Sequence, residues 1–195
     1  MEREHKEREK RLAGRSIVVG ICACGSPSEP FDLLRALRRE GASVEILMTP
    51  NATQLISPLM LQRESDKPVL FEQFELPRSF DKDHRRKPDL MLIAPASANT
   101  VSKVALGLAD NLLTTRAMSA RCPVAFVLRC NPFMYEKKSL QRNIEVLKED
   151  GYVFIQDPEK PSRFPPLPQL IDAVVVLLAQ QKPEEGGDRG GRFDF

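Results

Sequence analysis

Tryptophan is absent from this sequence, and histidine occurs only twice, as His5 and His84. The four cysteines include no C-x-x-C pair, so the sequence offers no ligand set of the kind that holds structural zinc. We therefore expect no metal site. Free thiols in such a chain are typical of a reducing compartment, and we predict a cytoplasmic location.

Long apolar runs and an excess of one charge are also lacking. No apolar run reaches the length that a membrane-spanning helix needs, and no apolar stretch of the secretory type follows the charged N-terminus. The formal net charge of the 195 residues is only +2. A membrane or a nucleic acid is therefore not expected as a partner, and the length fits one domain with a substantial core.

The most informative stretch begins with an unbroken apolar run at residues 90–94, which predicts a strand buried on both faces and ended by Pro95. Small and polar residues follow, among which Ser97 or Asn99 is expected to cap a helix. That helix is predicted from apolar residues at helical spacing, Val101, Val104 and Leu108. A strand, a polar turn and a helix start together form a typical ligand site of an open α/β sheet.

Strands and helices alternate along the rest of the chain. Further strands are predicted over residues 16–22, 44–48, 123–128 and 152–155, with a short one at 68–70. Helices are predicted over residues 31–40, 51–65, 111–120, 139–151 and 170–179, the second of them broken by Pro58. This alternation predicts an α/β fold of three layers, a doubly wound, Rossmann- or flavodoxin-like sheet that is mainly parallel.

The chain ends differ in composition from the middle. Residues 1–15 mix both charges and are expected to form a charged tail, and residues 182–195 are glycine-rich and expected to be disordered. The folded domain is then 16–181, with a polar surface loop at 71–88. Five consecutive apolar residues at 174–178 cannot share one helix face, so the last helix is expected to be buried on more than one side, for example by a subunit contact.

Polar residues follow three of the predicted parallel strands. Gly25 and Ser26 lie in the first loop, where small residues let the backbone approach a phosphate. Thr49 ends the second strand, and Arg129, Cys130 and Asn131 follow a later one. These positions are expected to meet at one sheet edge. The first loop has no G-x-G-x-x-G pattern, so its spacing alone does not distinguish a phosphate-binding loop from an ordinary connection.

Two motifs give the sequence a family resemblance. Residues 94–115, APASANTVSKVALGLADNLLTT, resemble the PASANT motif and the following helix of a family of homo-oligomeric, flavin-containing cysteine decarboxylases. Residues 131–135, NPFMY, resemble the end of that family's P-x-M-N-x-x-M-W motif. The likeness extends over residues 16–179. The family includes phosphopantothenoylcysteine decarboxylases and peptidyl-cysteine decarboxylases of lantibiotic synthesis.

The resemblance implies that 16–181 is a flavoprotein domain that binds FMN and acts on a small molecule. It places the phosphate on the first loop, at Gly25 and Ser26, and on the turn Ser97, Ala98, Asn99 and Thr100. It places the flavin ring near Thr49, Asn99, Arg129 and Cys130. Asn131 would bind a substrate carboxylate, and the chain would assemble as a homo-oligomer, a trimer or a dodecamer built from trimers.

The sequence departs from the family at catalytic positions. The family's decarboxylases carry a histidine eight residues before the aspartate that matches Asp89, where this chain has Asp81. The nearest histidine is His84, which we name with Asn131 as a candidate catalytic residue. The family's cysteine-bearing substrate clamp has no counterpart in residues 156–168.

Three functions follow from these observations. An FMN-dependent oxidoreductase is preferred, because the flavin carries the electron chemistry and the scaffold tolerates loss of the histidine and the clamp. The first alternative is a lyase that resembles phosphopantothenoylcysteine decarboxylase. The second is a non-catalytic, flavin-binding regulatory subunit.

Overall fold

A computed structural model describes residues 10–73 and 87–180 of the chain. Its five parallel strands lie in the order β2-β1-β3-β4-β5. Their bounds are β1 Ser16–Ile21, β2 Ser43–Met48, β3 Leu90–Ala96, β4 Val124–Leu128 and β5 Val153–Phe154. This is the flavodoxin-like order of a doubly wound sheet, so the predicted fold class is confirmed.

Helices cover both faces of the sheet. Their bounds are α1 Ser28–Arg39, α2 Pro50–Leu55, α3 Pro58–Leu61, α4 Ala98–Ala105, α5 Leu112–Met118, α6 Pro132–Tyr135, α7 Lys138–Glu149 and α8 Leu167–Ala179. Alternate strand residues point to opposite faces. One set packs with α1 and α8, and the other packs with α4, α5 and α7. In these residues no helix is long and apolar enough to cross a lipid bilayer.

The strand β3 lies at the centre of the sheet, and all seven of its residues are buried. The prediction that Pro95 ends this strand is wrong, because β3 continues to Ala96 with a register shift against β4. Proline lacks an N–H but keeps its carbonyl, and the Pro95 carbonyl accepts a hydrogen bond from the backbone N–H of Cys22. The Ala96 carbonyl likewise accepts from the N–H of Arg129, so both neighbouring loops are fixed to the end of β3.

Two local predictions differ from the structure. The short strand at 68–70 is reduced to a single parallel bridge between Leu47 and Leu70. The predicted helix after the central strand ends at Ala105, because Gly107 has a φ of 72° that turns the chain. Leu108 therefore lies outside the helix and is half exposed.

The structure also differs from the sequence prediction near both chain ends. Leu12 is 1% exposed and belongs to the core, although residues 1–15 were expected to be a solvated tail. In the last helix, the buried residues form one face, Leu170, Ile171, Val174 and Leu178. Val176 is 53% exposed, so within this chain α8 is not buried on more than one side. A helix between sheet and solvent hides only the stripe that meets the sheet.

Candidate functional site

The loops that follow β1, β2 and β3 meet around a cleft at the carboxyl edge of the sheet. The cleft has a volume of about 420 Å³. It is lined by ten residues, Ala23, Thr49, Pro50, Asn51, Ser97, Asn99, Thr100, Lys103, Asp110 and Asn111. In parallel sheets this edge is the usual place for a ligand, because the strand ends leave a crevice beside the helix starts.

The start of α4 forms one wall of the cleft. Ser97 is the N-cap, since its Oγ accepts a hydrogen bond of 3.2 Å from the backbone N–H of Thr100. Asn99 is exposed in the first turn, beside the buried Ala98. The first-turn N–H groups of a helix have no acceptor within it, so this wall offers donors and a partial positive charge to an anion.

A buried hydrogen-bond chain supports this wall from below. The Cys22 Sγ donates to the Thr100 Oγ1 at 3.2 Å, and the Ser97 Oγ donates to the same atom at 3.1 Å. Burial raises the pKa of the Cys22 thiol, so the thiol stays protonated. Sequence reasoning missed this role of Cys22, because nothing in the residues near Cys22 indicates contact with a residue 78 positions away.

The remaining lining of the cleft comes from the start of α2 and from the loop between α4 and α5. Thr49 is 8% exposed and caps α2, since its Oγ1 accepts from the N–H of Ala52 at 3.2 Å. Asp110 is held by Lys103 and by the Asn111 side-chain amide. The hydrogen bond from Lys103 lowers the pKa of the Asp110 carboxyl. Lys103, Asp110 and Asn111 were not predicted as site residues, although they lie within the motif at 94–115.

The first loop lies beside the cleft rather than in its lining. Gly25 has a φ of 77°, and the Glu29 carboxylate accepts from the N–H of Ser26 at 3.2 Å. The Arg129 Nε is buried, lies 3.5 Å from the Glu29 Oε1 and makes no hydrogen bond in the described structure. Burial raises the pKa of the Cys24 thiol in the same loop. These residues form a second polar group next to the α4 wall.

The residues after Arg129 continue this edge. The Cys130 N–H donates to the Ser162 carbonyl at 3.1 Å, and burial raises the pKa of the Cys130 thiol. Asn131 is exposed and caps the short helix α6, its Oδ1 accepting from the N–H of Phe133 at 2.8 Å. Its amide NH₂ group is the part suited to donate to a carboxylate.

The structure therefore brings some predicted site residues together and separates others. Thr49, Ser97, Asn99 and Thr100 line the cleft, and Ala98 lies buried behind it. Gly25, Ser26 and Arg129 form the neighbouring group, with Cys130 and Asn131 next along the edge. His84 and Asp81 lie outside the described residues, so the catalytic assignment of His84 stays a prediction.

A flavodoxin-like sheet with a donor-rich cleft at its carboxyl edge defines an α/β protein that binds an anionic, nucleotide-type ligand. More particularly, the chain belongs to the Flavoprotein family, which matches residues 5–179. This membership confirms the resemblance stated from the sequence.

Individual relatives agree with the family. Coenzyme A biosynthesis bifunctional protein CoaBC of Bacillus subtilis is 37% identical over 151 residues, which are 76% of this chain and 37% of that protein. The chain thus spans little more than a third of the length of the curated relatives it matches. The FMN-dependent cysteine decarboxylase SpaF superposes with a TM-score of 0.69 at 25% identity, covering 87% of this chain and 98% of SpaF. MrsD from a Bacillus species has a TM-score of 0.73 at 24% identity, covers 87% of this chain and 99% of MrsD, and shows the fold alone.

These similarities bear on the cofactor and the functions that were predicted from the sequence. The predicted FMN cofactor is confirmed by the family and by the FMN-dependent enzymes among the similar structures. The preference for an oxidoreductase is not supported. The relatives favour the decarboxylase-like alternative.

Proposed function

We propose that this protein uses FMN to decarboxylate a small substrate that ends in a cysteine carboxylate, of the phosphopantothenoylcysteine type. The observation that carries the proposal is the position of two donor groups at one sheet edge. These are the capped start of α4 and the exposed amide of Asn131. Similarity to CoaBC and SpaF supports it. Because the chain spans 37% of CoaBC, the proposal covers decarboxylation and no other step of coenzyme A synthesis.

The cleft residues fit the chemistry of FMN. A phosphate dianion is well served by the first-turn N–H groups of α4, without a lysine. Asn99 and Thr49 offer an amide and a hydroxyl to the polar edge of a flavin ring. The cleft volume of about 420 Å³ lies within the range of small-molecule sites.

The reaction needs a thiol oxidant, a carboxylate anchor and a proton source. Bound FMN would accept two electrons from the substrate thiol, carbon dioxide would then leave because the oxidised sulfur accepts the electron pair, and the reduced flavin would return the two electrons to the resulting enethiol, so that the overall decarboxylation is redox-neutral. The Asn131 amide donates to the carboxylate and orients it. The Cys130 thiol, with its raised pKa, holds a proton at neutral pH next to that anchor.

The test is to purify the protein, record its absorption spectrum and supply phosphopantothenoylcysteine. We expect flavin absorption bands at about 370 and 450 nm. We also expect release of carbon dioxide from the substrate. Asn131→Ala should keep the flavin spectrum but lose most turnover, whereas Gln169→Ala, which removes an exposed amide of α8 outside the cleft lining, serves as the control. A yellow protein that releases no carbon dioxide from this substrate or from cysteine-ending peptides would contradict the proposed reaction.

A non-catalytic, flavin-binding regulatory role is the second candidate. One observation favours it: the position that matches the family histidine is Asp81. Under this proposal, FMN binds normally and no substrate of the cysteine class is turned over. Measured carbon dioxide release that depends on Asn131 would exclude it.

A further inference from the structure

Asn131, the proposed carboxylate anchor, stands at the start of α6, a helix of only four residues. Its Oδ1 accepts a hydrogen bond from the N–H of Phe133 at 2.8 Å, which leaves the NH₂ group of the same amide for a ligand. A helix this short is not stable on its own, because few backbone hydrogen bonds offset the cost of nucleation. The orientation of the Asn131 amide therefore depends on contacts outside α6.

Tyr135, the last residue of α6, is fixed at three polar atoms. Its N–H donates to the Asn131 carbonyl at 3.0 Å, and its own carbonyl accepts from the side-chain amide of Gln141. Its hydroxyl accepts from the Gln156 Nε2 at 3.4 Å, and its ring packs against the core beneath α4, α5 and α7. Tyr135 thus holds Asn131 from the C-terminal side.

The N-terminal side of Asn131 is held by the segment that follows β5. The N–H of Cys130 donates to the Ser162 carbonyl at 3.1 Å, and Ser162 is only 6% exposed. The Gln156 Nε2 donates to the carbonyl of Pro161, the preceding residue, at 3.1 Å. Backbone hydrogen bonds within residues 157–163 keep these two carbonyls in place. The same glutamine therefore supports both sides of Asn131.

The position of Gln156 and the chemistry of its amide suit this role. Gln156 follows β5 closely, and the N–H of Ile155 beside it donates to the Phe126 carbonyl of β4 at 2.9 Å. The side chain therefore starts from the rigid carboxyl edge of the sheet and is partly buried. A glutamine nitrogen carries two N–H donors, which match the Tyr135 hydroxyl and the Pro161 carbonyl.

We propose that Gln156 is a positioning residue for substrate binding: by joining Tyr135 to Pro161, it holds the Asn131 amide in the orientation that receives the substrate carboxylate. The inference rests on the proposed function, in which Asn131 is the anchor. A binding group on a short element needs supporting hydrogen bonds of this kind, because a small misalignment weakens a directional contact. Gln156 acts through Asn131 and does not itself touch the substrate.

The first test compares two ligands that differ only in the carboxylate. Phosphopantothenoyl-S-methylcysteine carries it, S-methylphosphopantetheine lacks it, and both are thioethers that cannot be oxidised as a free thiol is. Calorimetric titration of the FMN-saturated protein should show about tenfold tighter binding of the carboxylate ligand. Gln156→Ala should weaken the carboxylate ligand by about fivefold and leave the other ligand unchanged. A general loss of packing would weaken both ligands alike.

Tyr135→Phe is a milder second variant, because it removes only the hydroxyl acceptor and keeps the ring in the core. It should also weaken the carboxylate ligand selectively. The double variant should resemble Gln156→Ala, since both changes break the same contact and their effects do not add. The control Gln169→Ala removes an exposed amide of α8 and should leave both affinities unchanged.

Hydrogen exchange of the FMN-saturated protein tests the support of α6 without any substrate. Gln156→Ala should speed exchange at the N–H groups of Phe133 and Tyr135 by about fivefold or more, because local opening of α6 becomes easier. Unchanged exchange at both groups overturns the inference, and so does equal weakening of the two ligands. If the unchanged protein releases no carbon dioxide from its substrate, the proposed function fails, and exchange at α6 still decides whether Gln156 holds Asn131 in place.

Discussion

Ser97 and Asn99 are two residues apart in the α4 wall, but their roles differ. The Ser97 side chain caps the helix, so its hydroxyl contributes to folding whether or not a ligand is present. Asn99 is exposed and lines the cleft, so its side chain is positioned for a ligand. Stability and cofactor affinity should therefore separate at these two positions.

Asn99→Ala should weaken FMN binding by about three- to tenfold, the value of one hydrogen bond, and change the free energy of unfolding by less than about 0.5 kcal/mol. Ser97→Ala should weaken FMN binding and also cost about 1 kcal/mol of stability, because the cap is lost. Fluorescence titration with FMN and urea unfolding of the FMN-free protein measure the two quantities. An unchanged affinity in Asn99→Ala would count against the proposed FMN site.

The buried thiol of Cys22 predicts a pH dependence. Burial raises the pKa of this thiol in the folded protein, whereas a cysteine in the unfolded chain has a pKa of about 8.5. The folded state therefore binds more protons than the unfolded state above that pH. The resulting stability is fully present at neutral pH and is lost as the pH rises, by up to about 1.4 kcal/mol per pH unit for each such thiol.

Cys22→Ser isolates the contribution of this thiol. Serine does not ionise in this range and can still donate to the Thr100 Oγ1. The variant should lose stability less steeply than the unchanged protein between about pH 8.5 and 10, as measured by urea unfolding under reducing conditions. Equal slopes for the two proteins would contradict the prediction.

At the scale of elements, the first loop depends on a glycine with a left-handed backbone. A Cβ added to Gly25 would clash with the Glu29 Oε2 and lie 3.0 Å from the Arg129 Cγ. Gly25→Ala should therefore displace Glu29 from the Ser26 N–H and disturb the loop. The left-handed backbone of an alanine at this position should also lower the free energy of unfolding by about 1–2 kcal/mol. We expect lower stability and weaker FMN binding.

Gly14→Ala is the matched control for this loop. Gly14 has a similar φ of 75°, but an added Cβ would meet no atom within 4 Å. The control should pay only the conformational cost and keep its FMN affinity. If the two variants behave alike in unfolding and in FMN titration, the contact between Gly25, Glu29 and Arg129 does not shape the site.

At the scale of the whole molecule, the oligomeric state stays a prediction. The family resemblance implies a trimer, or a dodecamer built from trimers, and α8 presents the exposed Val176 in the middle of an apolar helix. Light scattering should give a mass of three, or of twelve, times the chain mass of 22.0 kDa. If α8 lies in the interface, Val176→Asp should lower that mass. A monomer at micromolar concentration would contradict the predicted assembly.

Local patterns accounted for most of the fold and for part of the site. The apolar run at 90–94, the alternation of strands and helices and the motif at 94–115 led to the sheet, to the capped α4 and to the flavin cofactor. The errors arose where a local pattern met a tertiary constraint. Pro95 remained in its strand through its carbonyl, and Leu108 left its helix at a glycine turn.

The turn at residues 97–100 shows the same division. Residues 90–101 alone predict that a polar helix start follows a buried strand, because caps and periodicity depend on residues a few positions apart. The contact of Cys22 with Thr100 and that of the Cys130 N–H with the Ser162 carbonyl became visible only in the folded chain. Those contacts join residues distant in the chain, and strand order and register, rather than any local pattern, bring them together.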